Sequence, residues 1–403
     1  MKLPQIGPGI LVTAAFIGPG TVITASLAGA NFGYALMWAL LFSVVATLIL
    51  QEMAARLGIV TQQGLAENIR LSLLNPLVRG FGILLVVSAI VIGNAAYQGG
   101  NISGASLGLA SLFDSNNSQR FNYWPAIIGV FAFGLLWTGN YKVIERALIA
   151  LVGLMSLAFI TTFIITKPDL SELFSGLFTP VIPDGATLTV IALIGTTVVP
   201  YNLFLHSASA HQKWKSPSQL PEAKKDLFIS VSLGGLISMA ILSTAATAFF
   251  GRQLELQSVV DLAPSLEPLF GQFSKILMAT GLFAAGISSA VTAPLAAAFA
   301  LSGVLNLNKQ LTSNSFKAIW LTILLLGVVV ASSGYKPISI IWFAQVANGI
   351  LLPIVTLFLI WVMNSERLGD FKNSKIQNIL GGMVLLVTLL LSGRSLMSAF
   401  GLL

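Results

Sequence analysis

Ala15-Phe16-Ile17-Gly18-Pro19-Gly20-Thr21-Val22-Ile23-Thr24 decides how this chain is read. It is an apolar helix broken by Gly-Pro-Gly, and the break carries no charge. A second stretch, Ile194-Gly195-Thr196-Thr197-Val198-Val199-Pro200-Tyr201-Asn202, repeats the pattern in the other half. Proline has no backbone N–H and cannot continue a helix ladder, while glycine lets other groups come close to the backbone. Paired interruptions in corresponding halves point to a transporter's midplane binding site.

The rest of the composition agrees. The 403 residues are 56% hydrophobic and only 9% charged, where a soluble domain carries about 25% charged residues. Mean hydropathy is +0.89. This is the composition of a polytopic membrane protein. There is no cysteine, which excludes disulfides and thiolate metal sites and leaves the redox compartment unread. No cleavable signal is expected: the first residues lack a basic cluster and a cleavage site, and the first apolar run is too long.

Eleven spans are predicted, at 8–32, 34–57, 77–112, 123–139, 143–166, 187–211, 227–251, 269–304, 315–334, 337–363 and 376–399. The third and eighth are long enough to tilt or project beyond the bilayer. With the N-terminus inside, 15 of the 21 basic residues fall inside, Lys2, Arg56 and Lys309 among them, and 6 outside, Arg120 and Lys167 among them. The positive-inside rule then places the N-terminus in the cytoplasm and the C-terminus outside. The net charge of +7 is a topology signal, and nucleic acid is not an expected partner. Spans one to five and six to ten have opposite orientation, because five is odd. This predicts an all-α, 5+5 inverted repeat in a single transmembrane domain, 1–403. Its parts are a first repeat at 8–166, a second at 187–363 and one extra helix at 376–399. Short surface helices are allowed in the polar connections 58–76, 167–186, 212–226 and 252–268. The expected location is a bacterial inner membrane.

Several runs resemble one family. Ala30-Asn31-Phe32-Gly33-Tyr34, Ala54-Ala55-Arg56-Leu57-Gly58-Ile59-Val60-Thr61 and Asn202-Leu203-Phe204-Leu205-His206-Ser207 are similar to the Nramp family of divalent-metal transporters, and weaker similarity covers most of the chain. The resemblance implies a LeuT-like architecture whose first and sixth helices unwind around the substrate.

The chain departs from the family at its metal motifs. The family's Asp-Pro-Gly-Asn is Gly18-Pro19-Gly20-Thr21, and its Met-Pro-His is Val199-Pro200-Tyr201. The thioether that favours soft transition metals has become an inert isopropyl group. The family's acidic pair on the third helix, which serves proton movement, aligns with Gln98 and Asn101, and an amide does not titrate near neutral pH. These two are either former proton-path positions or polar packing.

Every acid lies in a loop or near a span end, so a divalent ion here would rest on neutral oxygens. No resident metal or other cofactor is expected. The second half of a broken helix opens with free N–H groups that attract anions. Thr21, Thr24, Thr196, Thr197, Tyr201 and Asn202 add neutral donors, although the hydroxyls of Thr24 and Thr197 could instead bond back to their own helix. The expected substrate contacts are therefore Gly18, Gly20, Thr21, Thr196, Thr197, Val199, Tyr201, Asn202 and, on the tenth span, Gln345, with Asn348 nearby. His206 is read as a hydrogen-bonded gate and His211 as a boundary residue. The LeuT-like resemblance adds a coupling Na⁺ site between Gly18 and Thr21 carbonyls and the adjacent hydroxyls Ser288 and Ser289.

The leading expectation is a secondary transporter importing a small monoanion, bicarbonate the foremost candidate, coupled to Na⁺. The alternative is a divalent-cation transporter of relaxed selectivity for Mg²⁺ or Mn²⁺. A third is a non-transporting sensor on a transporter fold. No acid, base and nucleophile come together at the midplane, so an enzyme is not expected. The partners are a small inorganic ion and the bilayer, with a monomer the simplest oligomeric state.

Overall fold

The computed structural model describes residues 7–73, 75–113, 122–138, 142–252, 258–308 and 310–399. Lys2, Arg120 and Lys309 of the charge count lie outside them. No strand occurs among the described residues.

The first expected span is two helices, α1 (Pro8–Phe16) and α2 (Pro19–Phe32), separated by Ile17 and Gly18. Each begins with proline, whose missing N–H costs nothing in the first turn. Then come α3 (Met37–Thr61), the short α4 (Leu65–Ser72), α5 (Pro76–Phe113), α6 (Trp124–Thr138), α7 (Lys142–Thr166) and the short α8 (Leu170–Phe178). The sixth expected span is again two helices, α9 (Thr187–Thr197) and α10 (Pro200–Lys213). After α11 (Leu220–Phe249) the connection holds α12 (Val259–Leu262) and α13 (Glu267–Phe270). The chain finishes with α14 (Ser274–Leu305), α15 (Asn314–Ala331), α16 (Pro337–Val362) and α17 (Lys375–Ala399).

All eleven expected spans fall on helix, with ends moved by a few residues. The largest shift is α11, which starts at Leu220 rather than 227. Eight spans are long and apolar enough by length and composition to cross a membrane, with Thr187–Lys213 counted as one. The other three coincide with the broken pair α1–α2, with α6 and with α7.

The broken helices sit at the centre. α2 packs on α11 and α16, α9 on α16 and α3, α10 on α3 and α14, and α5 runs along α14, α15 and α16. Lipid tails are as apolar as leucine, so close backbone approach at small residues drives helix packing in a membrane. At the α9–α16 contact a Cβ on Gly195 would overlap Gln345 O and lie 2.5 Å from Gly349 N. A Cβ on Gly349 would lie 2.5 Å from Ile191 O. The two glycines let these helices touch backbone to backbone beside the second break.

One end of the bundle is tied by charge. Arg56 of α3 is 4% exposed. It bonds Glu52 through two nitrogens at 3.1 Å, Phe371 O at 2.7 Å and Asn373 Oδ1 at 2.8 Å. Lys224 of α11 also reaches Glu52 at 3.1 Å. At the start of α1, Gly9 N–H donates to the Asp226 carboxylate of α11 at 2.8 Å.

Candidate ion-binding site at the two helix breaks

The breaks share one backbone step. Ile17 closes α1 at φ −79°, ψ 71°, its N–H on Thr13 O at 2.9 Å, and Gly18 is extended before Pro19. Val198 closes α9 at φ −95°, ψ 71°, its N–H on Ile194 O at 2.8 Å, and Val199 is extended before Pro200. Gly18 has φ −117°, which any residue adopts, so glycine matters there for space. A Cβ at Gly18 would stand 3.1 Å from Ser289 Oγ and 3.7 Å from the Tyr97 hydroxyl. A Cβ at Gly20 would run into the side-chain amide of Gln345.

A hydroxyl pair joins the breaks. Thr21 Oγ1 lies 2.9 Å from Thr196 Oγ1, and Thr21 Oγ1 also donates to Phe16 O. Both threonines are fully buried. The sequence-predicted residues Gly18, Gly20, Thr21, Thr196 and Gln345 are thus brought together. Thr197 follows its other reading: its hydroxyl bonds back to Leu193 O at 3.2 Å. Val199 and Tyr201 are buried at the second break, and the Tyr201 ring meets the edge of Tyr97 with centroids 5.2 Å apart.

Around this step several buried polar atoms lack a hydrogen-bond partner among the described residues. They include both amide atoms of Asn202, Gln345 Oε1, Asn348 Nδ2, Ser289 Oγ and Thr24 Oγ1. A buried polar group left unmade costs about 1–3 kcal/mol. So many of them in one place mark where a polar ligand or its water belongs. Beside Pro200, a cavity of about 10 Å³ is lined by Asn94, Tyr201 and Asn348 among others, close to the room one water needs.

The two helix-eight serines are placed differently. Ser289 faces Gly18. Ser288 is partly exposed and its carbonyl accepts from Thr292 Oγ1; neighbouring helix positions point about 100° apart, so the two hydroxyls do not form one site. Gln98 donates to Ala290 O of α14 at 2.9 Å and accepts from Asn101 at 3.4 Å. Gln98 therefore ties α5 to α14, and Asn101 supports it from within α5. His206 is fully buried, with Nδ1 3.0 Å from Gln51 Oε1 of α3. His211 is half-exposed at the end of α10, on the bundle's polar edge.

Sequence reasoning missed Tyr97, Asn94 and Gln51. Tyr97 adjoins Gln98, and Asn94 stands four residues before it, on the same helix face. A search along α5 at that spacing would have found Asn94. No group of three or more His, Cys, Asp or Glu that could hold a metal occurs among the described residues.

Two interrupted, centrally buried helices inside a sheath of long apolar ones define a multi-pass membrane protein of LeuT-like fold. A family model described as Natural resistance-associated macrophage protein-like matches residues 9–398, and the chain belongs to this Nramp family. Its members are transporters, not enzymes. The chain is 28% identical to a divalent metal cation transporter MntH of Yersinia pestis, covering 99% of this chain and 96% of that protein. It is 26% identical to an MntH of Caldanaerobacter subterraneus, covering 97% and 92%. A crystal structure of the Eremococcus coleocola manganese transporter, in complex with an aromatic bis-isothiourea compound, superposes with TM-score 0.77 at 23% identity, covering 97% of this chain and 86% of that one. MhsT in complex with L-phenylalanine shares the fold more distantly, with TM-score 0.61 at 16% identity.

These relatives overturn the expectation of Na⁺-coupled bicarbonate or other anion transport, since their names state divalent metal cations. The physical reason lies in the breaks. The anion reading counted the N-terminal N–H groups of α2 and α10, of which Thr21 N already bonds Gly18 O and Asn202 N bonds Val199 O. It also left out the C-terminal ends of α1 and α9, whose carbonyls carry the opposite partial charge and favour cations.

Proposed function

We propose that the protein carries a divalent metal cation across the membrane, with relaxed selectivity between Mg²⁺ and Mn²⁺. The observation that carries this is the pair of buried breaks, joined through Thr21 and Thr196, in a chain whose relatives are named divalent metal cation transporters. The ligands are backbone carbonyls at the two breaks and the hydroxyls of Thr21 and Thr196. Val199 supplies no sulfur, so the site does not prefer soft metals. Mg²⁺ dehydrates reluctantly and keeps several waters. The partnerless oxygens of Gln345, Asn202 and Ser289 suit hydrogens of such coordinated water. His206, bonded to Gln51, acts as a gate between α10 and α3, and residues 8–166 and 187–363 are the two inverted repeats. The basic residues favour a cytoplasmic N-terminus and an external C-terminus in a bacterial inner membrane.

The test is ion uptake into liposomes holding the purified chain. Uptake of both Mn²⁺ and Mg²⁺, each competing with the other, is expected. Uptake of neither by folded protein refutes the proposal.

A further inference from the structure

The connection between α7 and α9 holds α8, nine residues whose side chains divide into three sectors. Asp169 starts the helix by accepting the N–H groups of Ser171 at 2.8 Å and Glu172 at 3.2 Å. Thr179 leaves it in extended conformation before Pro180, as a residue ahead of proline does. Successive side chains turn by about 100°. Leu173 and Gly176 fall on one side and are buried. Leu170, Phe174 and Phe178 fall on the next, at every fourth position, and are 59%, 54% and 71% exposed. Ser171, Glu172 and Ser175 form the third side, also exposed.

The buried side is fixed to the bundle. α8 packs on α3, and a Cβ on Gly176 would overlap Tyr34 O, just ahead of α3. Past the end of α8, Val181 O accepts the Trp38 indole N–H at 2.9 Å. The helix therefore cannot roll its apolar side inward without lifting Leu173 and Gly176 off the protein. That apolar side continues the outer surface of α7, where Leu157, Ile164 and Ile165 are exposed.

We propose that α8 lies in the plane of the membrane–water interface and that its partner is the surrounding lipid. Leu170, Phe174 and Phe178 sit among the acyl chains, Ser171, Glu172 and Ser175 face water, and Leu173 and Gly176 rest on the protein. A helix with an apolar and a polar face binds a membrane boundary in this way. α7 ends at Thr166 and α9 begins at Thr187. Both are spans, so the connection stays at one face of the bilayer, within reach of the acyl chains. Contiguous exposed apolar side chains mark an interaction surface, and here that surface runs on from the lipid-facing side of α7. Anchored so, α8 holds the turn at Tyr34 and the start of α3 at a fixed depth.

The native chain has no cysteine, so a single thiol carries a nitroxide label cleanly. Phe174→Cys, Ser175→Cys and Leu157→Cys are made one at a time in the full-length chain, labelled, purified and placed in phosphatidylcholine vesicles. Spin-resonance power saturation reads collisions with oxygen, which concentrates in the acyl chains, and with a water-soluble nickel chelate. The oxygen-to-nickel ratio should be severalfold higher at Phe174→Cys than at Ser175→Cys, shifted towards that of Leu157→Cys deeper in the membrane. Phe178→Cys gives the same reading where the label at Phe174→Cys lowers thermal stability. A ratio at both phenylalanine positions as low as at Ser175→Cys puts this face in water and overturns the proposal. Little collision with either reagent at both positions means that a second copy or another protein covers the face, and overturns it too.

Discussion

Gly18→Asp tests the central site most directly. Gly18 is the N-cap of α2 in extended conformation, so aspartate fits there without backbone strain. Its Cβ would sit 3.1 Å from Ser289 Oγ, a tight contact that a small rotation of the serine relieves. The new carboxylate would point where Ser289 Oγ and the Tyr97 hydroxyl converge. A charge of −1 about 4 Å from a divalent ion, at an effective dielectric of about 20, gains about 8 kcal/mol. Desolvating the carboxylate takes back several kcal/mol, leaving about 2–3 kcal/mol. That is about 30- to 150-fold in affinity, at about 1.4 kcal/mol per tenfold. The assay is Mn²⁺ binding by titration calorimetry, with thermal melting to establish folding. Gly18→Asn is the control, because asparagine caps a helix as well as aspartate but brings no charge. Equal Mn²⁺ affinity in the aspartate and asparagine variants, both folded, would refute the placement of the cation at Gly18.

Three pairs of substitutions separate packing from function. Gly195→Ala should destabilise by about 3 kcal/mol, the upper range for overpacking, because its Cβ meets the α16 backbone; Gly134→Ala, with nothing within 4 Å, should melt no lower than the parent in detergent. Arg56→Ala should cost about 1–3 kcal/mol, because Phe371 O and Asn373 Oδ1 lose their donor while Glu52 keeps Lys224. Lys224→Ala, removing a side chain 52% exposed, should cost about 0–1 kcal/mol, and denaturant titration of the two variants checks the contrast. Gln98→Glu should lower stability by about 1–3 kcal/mol, since a carboxylate cannot donate to Ala290 O; melting it beside Gln98→Met tells a lost bond from lost volume.

Much of the fold was legible because hydrophobic runs and proline are local signals. Pro19 and Pro200 mark both breaks in sequence, and helix begins at each of them. The site was legible as a neighbourhood and less so as a set of contacts. Gly20 and Gln345, 325 positions apart, meet only through the packing of α2 on α16. Ser288 and Ser289 look equivalent in sequence, and only the rotation of α14 decides that Ser289 faces Gly18. The substrate sign was misread because the lack of acids at the breaks and the N–H ends of α2 and α10 were weighed for it, and the carbonyl ends of α1 and α9 were not.

In the proposed route the residues of the breaks serve packing and binding together. Thr21 holds the two breaks to each other and closes α1 through Phe16 O. Gly195 sets the distance between α9 and α16, and so fixes where Gln345 stands against Gly20. A substitution that abolishes uptake at these positions therefore does not identify a ligand. A neutral site also holds its ion by many weak ion–dipole terms, none of which dominates. Thr21→Val and Thr196→Val, singly and together, resolve this. If the bridge is structural, the pair couples in melting by about 0.5–1.5 kcal/mol, the worth of one neutral hydrogen bond, and Mn²⁺ affinity in the folded variants stays put. If the hydroxyls are ligands, affinity falls in each single variant before stability does.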